Sequence, residues 1–157
     1  MNIDKLTAQF RHALLESQSI ALGYDHASVE PVHVMQALLN QKGGSNVPLL
    51  SQAGVDIAKL NPSLLRVLES MPKIQSHDGE IAVSRALQKL INVCDQLAQK
   101  RGDAYIASDL FLLAALKSSN ALGDLLKQCG ADEQLYSKAL ENARGGQTVG
   151  QEEEGGT

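Results

Sequence analysis

The sequence predicts an all-α fold of two tandem, pseudo-symmetric four-helix repeats, about eight helices packed as one domain. Three observations predict it: a duplicated apolar pattern, three- and four-residue spacing of the apolar positions, and a core supply that is almost wholly aliphatic. Residues 6–39 moved forward by 77 positions place Leu6 on Val83, Phe10 on Leu87, Leu14 on Ile91, Val29 on Ile106 and Leu38 on Ala115. One residue then drops out, and at an offset of 76 Leu49-Leu50 falls on Leu125-Leu126 and Gly54-Val55-Asp56 on Gly130-Ala131-Asp132. A unit this long exceeds the roughly 20–50 residues of a solenoid repeat. Aromatic residues make up 3% of the chain, so Leu, Ile, Val and Ala must fill the interior, which suits packed helices.

Each element has a local reason. Over residues 4–22, Leu6, Phe10, Ala13, Leu14, Ser17 and Ala21 recur at helical steps, and Asp4 or Asn2 can cap the start. Glu30-Pro31 opens a second helix, because proline's missing N–H costs nothing in a first turn. It runs to about Asn40 and stops at Gly43-Gly44. A short helix over about 47–52 ends at Gly54. Asp56 caps a fourth over about 57–69, where Pro62 marks a kink or the true first turn. Residues 73–81 join the copies, and His77 within them is expected to be solvated. In the second copy Ser84 precedes a long helix to about Lys100, closed by Gly102. Ser108 caps the next, to about Ser118; Asn120 or Ala121 begins a short one that stops at Gly130; Asp132 caps the last, to about Ala143. No strand pattern is convincing. The repeats are placed at about 4–71 and 82–144 within a domain of residues 1–144, and residues 145–157 read as a flexible, acidic, Gly-rich linker.

Gly54 and Gly130 are expected in the left-handed conformation that closes one helix, with Asp56 and Asp132 accepting N–H groups of the next.

Composition excludes several functions. At 157 residues the chain can bury about 70% of its unfolded surface. Glu152, Glu153 and Glu154 account for three of the 18 acidic residues, leaving 15 against 14 basic ones in a near-neutral body. That lacks the basic footprint of a nucleic-acid binder. No apolar run approaches the roughly 18 residues of a membrane span, and Met1–Asp4 opens straight into an amphipathic pattern with no signal-peptide features. Cys94 and Cys129 occupy apolar helical positions and read as buried thiols of a reducing cytoplasm.

No catalytic constellation emerges. The phosphate-loop motif and the Gly-x-Gly-x-x-Gly turn are missing. His12, His26, His33 and His77 lie far apart in sequence and form no zinc pattern; His33 reads as a packed or half-exposed histidine. Asp103 and Asp109 flank the turn after the long helix, with no neighbouring base to make them an acid–base pair. Val93 and Leu97 share a helix face offset from the Leu87, Ile91, Cys94 stripe, so they form a candidate contact patch that Leu110 could complete. Core burial of all three is the competing reading.

Several stretches resemble the amino-terminal domain of ClpB-type disaggregases of the Clp family. They are Ile3-Asp4-Lys5-Leu6-Thr7, Ala21-Leu22-Gly23, Ala37-Leu38-Leu39-Asn40-Gln41 with Gly43-Gly44, and Cys94-Asp95-Gln96-Leu97-Ala98-Gln99-Lys100-Arg101-Gly102-Asp103. Arg144-Gly145-Gly146 before an acidic stretch also fits. Related ClpA- and ClpC-type chaperones share the doubling, but Val29-Glu30-Pro31-Val32-His33 at the second helix is similar to the ClpB branch.

The resemblance implies a substrate-recruiting, non-enzymatic segment of a hexameric AAA+ disaggregase of the bacterial cytoplasm. The segment itself is expected to be a monomer without cofactor. ATP and Mg would serve nucleotide-binding modules beyond the linker, and the parent would work with the DnaK chaperone. It further implies capture of unfolded or aggregated polypeptide through a shallow apolar groove at Thr7, Val93, Leu97, Asp103, Asp109 and Leu110. The family often has Leu at position 93 and Glu at position 109; Val and Asp keep the character with shorter side chains. The alternatives are an adaptor- or partner-docking domain of a protease-linked Clp ATPase, and a small thiol enzyme using Cys94 or Cys129.

Overall fold

Both copies fold into four helices, as the duplicated pattern requires. The computed structural model describes residues 3–75 and 80–152; Asn2 as a cap, His77 of the joint and the acidic residues 153 and 154 lie outside them. Copy one holds α1 (Ala8–Gly23), α2 (Pro31–Asn40), α3 (Asn46–Gln52) and α4 (Ile57–Ser70). Copy two holds α5 (Arg85–Arg101), α6 (Ser108–Lys117), α7 (Ala121–Gln128) and α8 (Glu133–Arg144). A 3-10 turn, Ile3–Lys5, precedes α1. Two-residue strands β1 (Ser28–Val29) and β2 (Ala82–Val83) pair in parallel, which corrects the expectation of no strand. Two residues are too few to display a period-two pattern.

These pairings show how the copies interlock. Val29 pairs with Val83, and Leu6 forms a parallel bridge to Ile106. Leu6 and Val83 are equivalent positions, as are Val29 and Ile106, so each copy lends the residue before its long helix to the other. The caps obey the same symmetry. Thr7 N–H donates to the Ile106 carbonyl (3.0 Å) and Ser84 N–H to that of Val29 (2.9 Å). Their hydroxyls accept from Phe10 N–H (3.3 Å) and Leu87 N–H (3.1 Å). Thr7, not Asp4, therefore caps α1, because the chain is still in the 3-10 turn at Asp4.

Elsewhere the caps divide. Asp132 accepts from Leu135 N–H as expected, and Asn120 caps α7 by accepting from Gly123 N–H. Asp56 precedes α4 without a side-chain cap bond. Ser108 is the first residue of α6 rather than its cap, and its buried hydroxyl accepts from Asn46 Nδ2 (3.0 Å) instead. Pro62 lies inside α4 rather than at its first turn.

The core runs through both copies. In α4, Leu60, Leu64 and Leu68 form a fully buried stripe, each contributing about 1.5–3 kcal/mol of burial. Phe10 and Phe111, one from each copy, meet edge to face with centroids 5.9 Å apart. The α2 and α6 helices are the most deeply enclosed, with Val34, Met35 and Ala37 in one and residues 110–112 in the other fully buried.

Candidate functional site

Helix α5 turns Leu87, Leu90, Ile91, Cys94 and Ala98 into the core. Val93 and Leu97, one helical turn apart, are left half-buried against its edge. The equivalent positions in copy one, 77 residues earlier, are Glu16 and Ile20. Thus Val93 puts an apolar side chain where the first copy carries a carboxylate. In copy one a cleft of about 650 Å³ between α1 and the α2–α3 turn is lined by His12, Glu16, Asn40 and Lys42 among others.

Gly102 closes α5 at φ +77°, a conformation that disfavours any side chain. The same place in copy one is Asp25, at φ +59°. The left-handed turn redirects the chain so that Asp103 N–H bonds the Ala98 carbonyl (2.9 Å) and the Asp103 carboxylate turns inward.

There Arg144, in the last turn of α8, gathers both candidate carboxylates. Its Nη1 donates to Asp103 Oδ2 (2.8 Å), its Nη2 to Asp109 Oδ1 (2.7 Å) and its Nε to Asp109 Oδ2 (3.2 Å). The Asp103 carboxylate is fully buried and the guanidinium nearly so. Burial opposes the Arg144 charge, but Asp109 first and Asp103 second overcome it and raise the pKa above its ordinary value. Tyr136 adds a bond from its hydroxyl to the Asp109 carbonyl (2.7 Å), and Arg101 pairs with Glu141. Neither aspartate is a free rim charge; together they lock α8 onto the 103–109 turn.

Of the six expected residues, four therefore converge on one turn. Thr7, joined to Ile106, and Leu110, in α6, are fully buried, so they form its support rather than its surface. Val93 and Leu97 offer the accessible apolar atoms. Asp109 lies close enough to α5 to act on Cys94, whose thiol is driven far above its ordinary pKa by burial, with Asp109 adding to the effect.

Two features escaped sequence reasoning. Residues 147–152 do not leave the domain: Val149 N–H donates to Asp103 Oδ1 (2.9 Å), and its carbonyl accepts from Ala104 N–H (2.8 Å) and Tyr105 N–H (3.2 Å). Glu152 accepts from Ala8 N–H (2.8 Å) and pairs with Arg11 (3.3 Å). The second is a buried pair, His26 Nδ1 and His33 Nε2, at 2.7 Å. Glu30 N–H donates to His33 Nδ1 (2.7 Å), so neutral His33 carries its proton on Nε2 and donates to His26. Burial holds both pKa values down, that of His33 at about 4, with His26 adding to the latter. The repeat contained a signal for these clusters. Asp103 and Arg144 replace His26 and Leu68 of copy one, and Leu110 replaces His33, so the position shared by His26 and Asp103 takes its polar partner from a different helix in each copy.

Among the described residues no group of three or more His, Cys, Asp or Glu is placed to hold a metal ion. Nor is any helix there long and apolar enough to cross a membrane.

Comparisons with known proteins agree with one another. The family model described as the Clp repeat (R) N-terminal domain matches residues 5–129. The chain is 46% identical over 149 residues to the chaperone protein ClpB of Vibrio cholerae and 45% identical to that of Pseudomonas putida. In both cases 95% of this chain is covered, and it spans about 17% of the relative's length. Among solved structures, the Hsp104 N-terminal domain from Candida albicans is similar with a TM-score of 0.84 at 18% identity, covering 98% of this chain and 99% of that one. A ClpV N-domain in complex with VipB peptide is similar with a TM-score of 0.69 at 23% identity, covering 88% and 86%.

Proposed function

The chain belongs to the Clp repeat N-terminal domain family, and from that premise we propose that it recruits non-native polypeptide for an ATP-driven disaggregase. The observation that carries this reading is the half-exposed Val93–Leu97 pair on α5, beside a turn whose charges are already satisfied internally. Apolar atoms without a free ion pair beside them select for exposed hydrophobic chain, not for a particular sequence. Burying about 300 Å² there gives only several kcal/mol before ordering costs. Weak capture suits a domain that must release its client.

In this reading the segment is not an enzyme. ATP and Mg act in modules outside it, in a hexameric, cytoplasmic parent that cooperates with DnaK. Binding of unfolded casein to the wild-type chain and to a Val93→Thr/Leu97→Gln variant tests it. We expect the variant to bind about ten-fold more weakly, near the loss of 1.4 kcal/mol, with an unchanged melting temperature. Equal affinities would remove the α5 face from the site.

A second reading is docking of a defined folded or peptidic partner, favoured by the fold shared with a ClpV N-domain solved with VipB peptide. It requires saturable binding of one partner and indifference to casein.

A further inference from the structure

We infer that the turn at residues 103–105 and the start of α1 form a site for extended polypeptide main chain, which the chain's own residues 147–152 occupy as a displaceable strap. This deepens the recruiting role proposed above and rests on it.

The contacts have the chemistry of peptide recognition. Val149 is held at both main-chain groups: its N–H by the Asp103 carboxylate, its carbonyl by two successive N–H groups, Ala104 and Tyr105. Three residues on, Ala8 N–H holds the Glu152 carbonyl, and Arg11 holds the carboxylate. Among the described residues the hydrogen bonds to the strap are to its main chain apart from the Glu152–Arg11 pair, so they tolerate most sequences, as main-chain addition to an exposed edge does.

The receiving groups are fixed in advance. Arg144 takes one oxygen of Asp103 and leaves Oδ1 aimed at an incoming amide. Arg11 is anchored by its Nη1 bond to the Leu6 carbonyl (2.8 Å). Such preorganisation lowers the ordering cost of a flexible ligand.

The strap is weakly seated by comparison. Residues 145–152 are exposed apart from a half-buried Val149, and five of the eight are Gly or Gln. Its path also follows the fold's symmetry. It leaves α8 as residues 71–75 leave α4, where Ile74 N–H bonds the Asp25 carbonyl (2.8 Å). In copy two residues 147–152 lie along an edge that another extended chain can take. Lifting the strap frees Ala104, Tyr105 and Ala8 N–H beside the Val93–Leu97 helix, so a client can bury apolar side chains and satisfy its backbone together.

Three chains test this: the full sequence, a chain ending at Gly146, and full-length Val149→Pro, which lacks the donating N–H. Casein affinity is measured for each, with amide exchange at Ala104 and Tyr105 and binding of a synthetic peptide of residues 145–157. We expect both variants to bind casein about five-fold more tightly, the gain from removing a competing occupant. Ala104 and Tyr105 should exchange about ten-fold faster, and the peptide should bind the truncated chain and compete with casein. Unchanged exchange and no peptide binding would overturn the strap, whatever casein does. Peptide binding and faster exchange without casein binding would uphold the strap and overturn client recruitment. Casein binding that neither variant nor peptide alters would uphold recruitment and overturn the strap.

Discussion

Gly54 and Gly130 face each other across the seam between the copies. A Cβ on Gly130 would stand 2.4 Å from the Gly54 carbonyl oxygen, and one on Gly54 would stand 2.9 Å from that of Gly130. Beside them Asp56 N–H donates to the Cys129 carbonyl and Asp132 N–H to that of Ala53, both at 3.0 Å. The turns that end α3 and α7 are thus the contact through which the copies are joined.

Gly130→Ala should destabilise more than Gly54→Ala. Both glycines have φ near +100° (+98° and +108°), so a side chain at either costs about 1–2 kcal/mol in strain alone, and the closer approach at Gly130 adds to it. Gly23→Ala, with nothing within 4 Å of the new methyl, is the control. Urea midpoints that rank Gly23→Ala with the other two would refute a packed seam.

Arg144→Met should cost about 3–5 kcal/mol, the range for removing one partner of a buried ion cluster. Arg144→Lys keeps the charge but cannot bond both carboxylates at once, and should recover only part of that loss. If Arg144→Met melts like the wild type, Asp103 and Asp109 do not depend on it.

The buried histidines make the fold acid-sensitive. Both have folded pKa values below the ordinary one, so the stability linked to them is complete above about pH 6.5 and is lost as pH falls toward about 4. Protonated His33 would set an N–H against the Glu30 N–H, and protonated His26 would set one against His33. Between pH 7 and 4.5 we expect a loss of order 2 kcal/mol through His33. His26→Asn keeps an acceptor for His33 while removing one titrating ring, so its stability should fall less over the same interval. Parallel pH profiles for variant and wild type would contradict this.

Cys94 should resist thiol reagents at neutral pH, because its sulfur is fully buried and its thiolate strongly disfavoured. Cys129 is nearly as enclosed. Labelling of either should follow the rate of unfolding. Stoichiometric modification of the native chain within seconds would revive a thiol-based activity.

Much of this architecture was legible because duplication repeats its own evidence. Each helix of copy one had a second example, and Gly54 and Gly130 carried their left-handed turns in matching places. What stayed hidden depended on contacts between distant segments. Ser108 resembles a cap until Asn46 claims its hydroxyl. His26 and His33 become neighbours only when the turn after α1 folds back onto α2. Arg144, in the last turn of α8, meets Asp103 and Asp109 only once the 103–109 turn folds against it. The strap was hardest to see, since glycines and glutamates without periodicity say nothing about the backbone groups waiting to receive them.

Amide and methyl shift mapping of the isotope-labelled chain with unfolded casein locates the client most directly. Val93 and Leu97 methyls should shift together with the amides of Ala104 and Tyr105, while the copy-one cleft at Gln9, His12 and Gln41 stays silent. Shifts confined to that cleft, with Val93 and Leu97 unmoved, would contradict capture on α5.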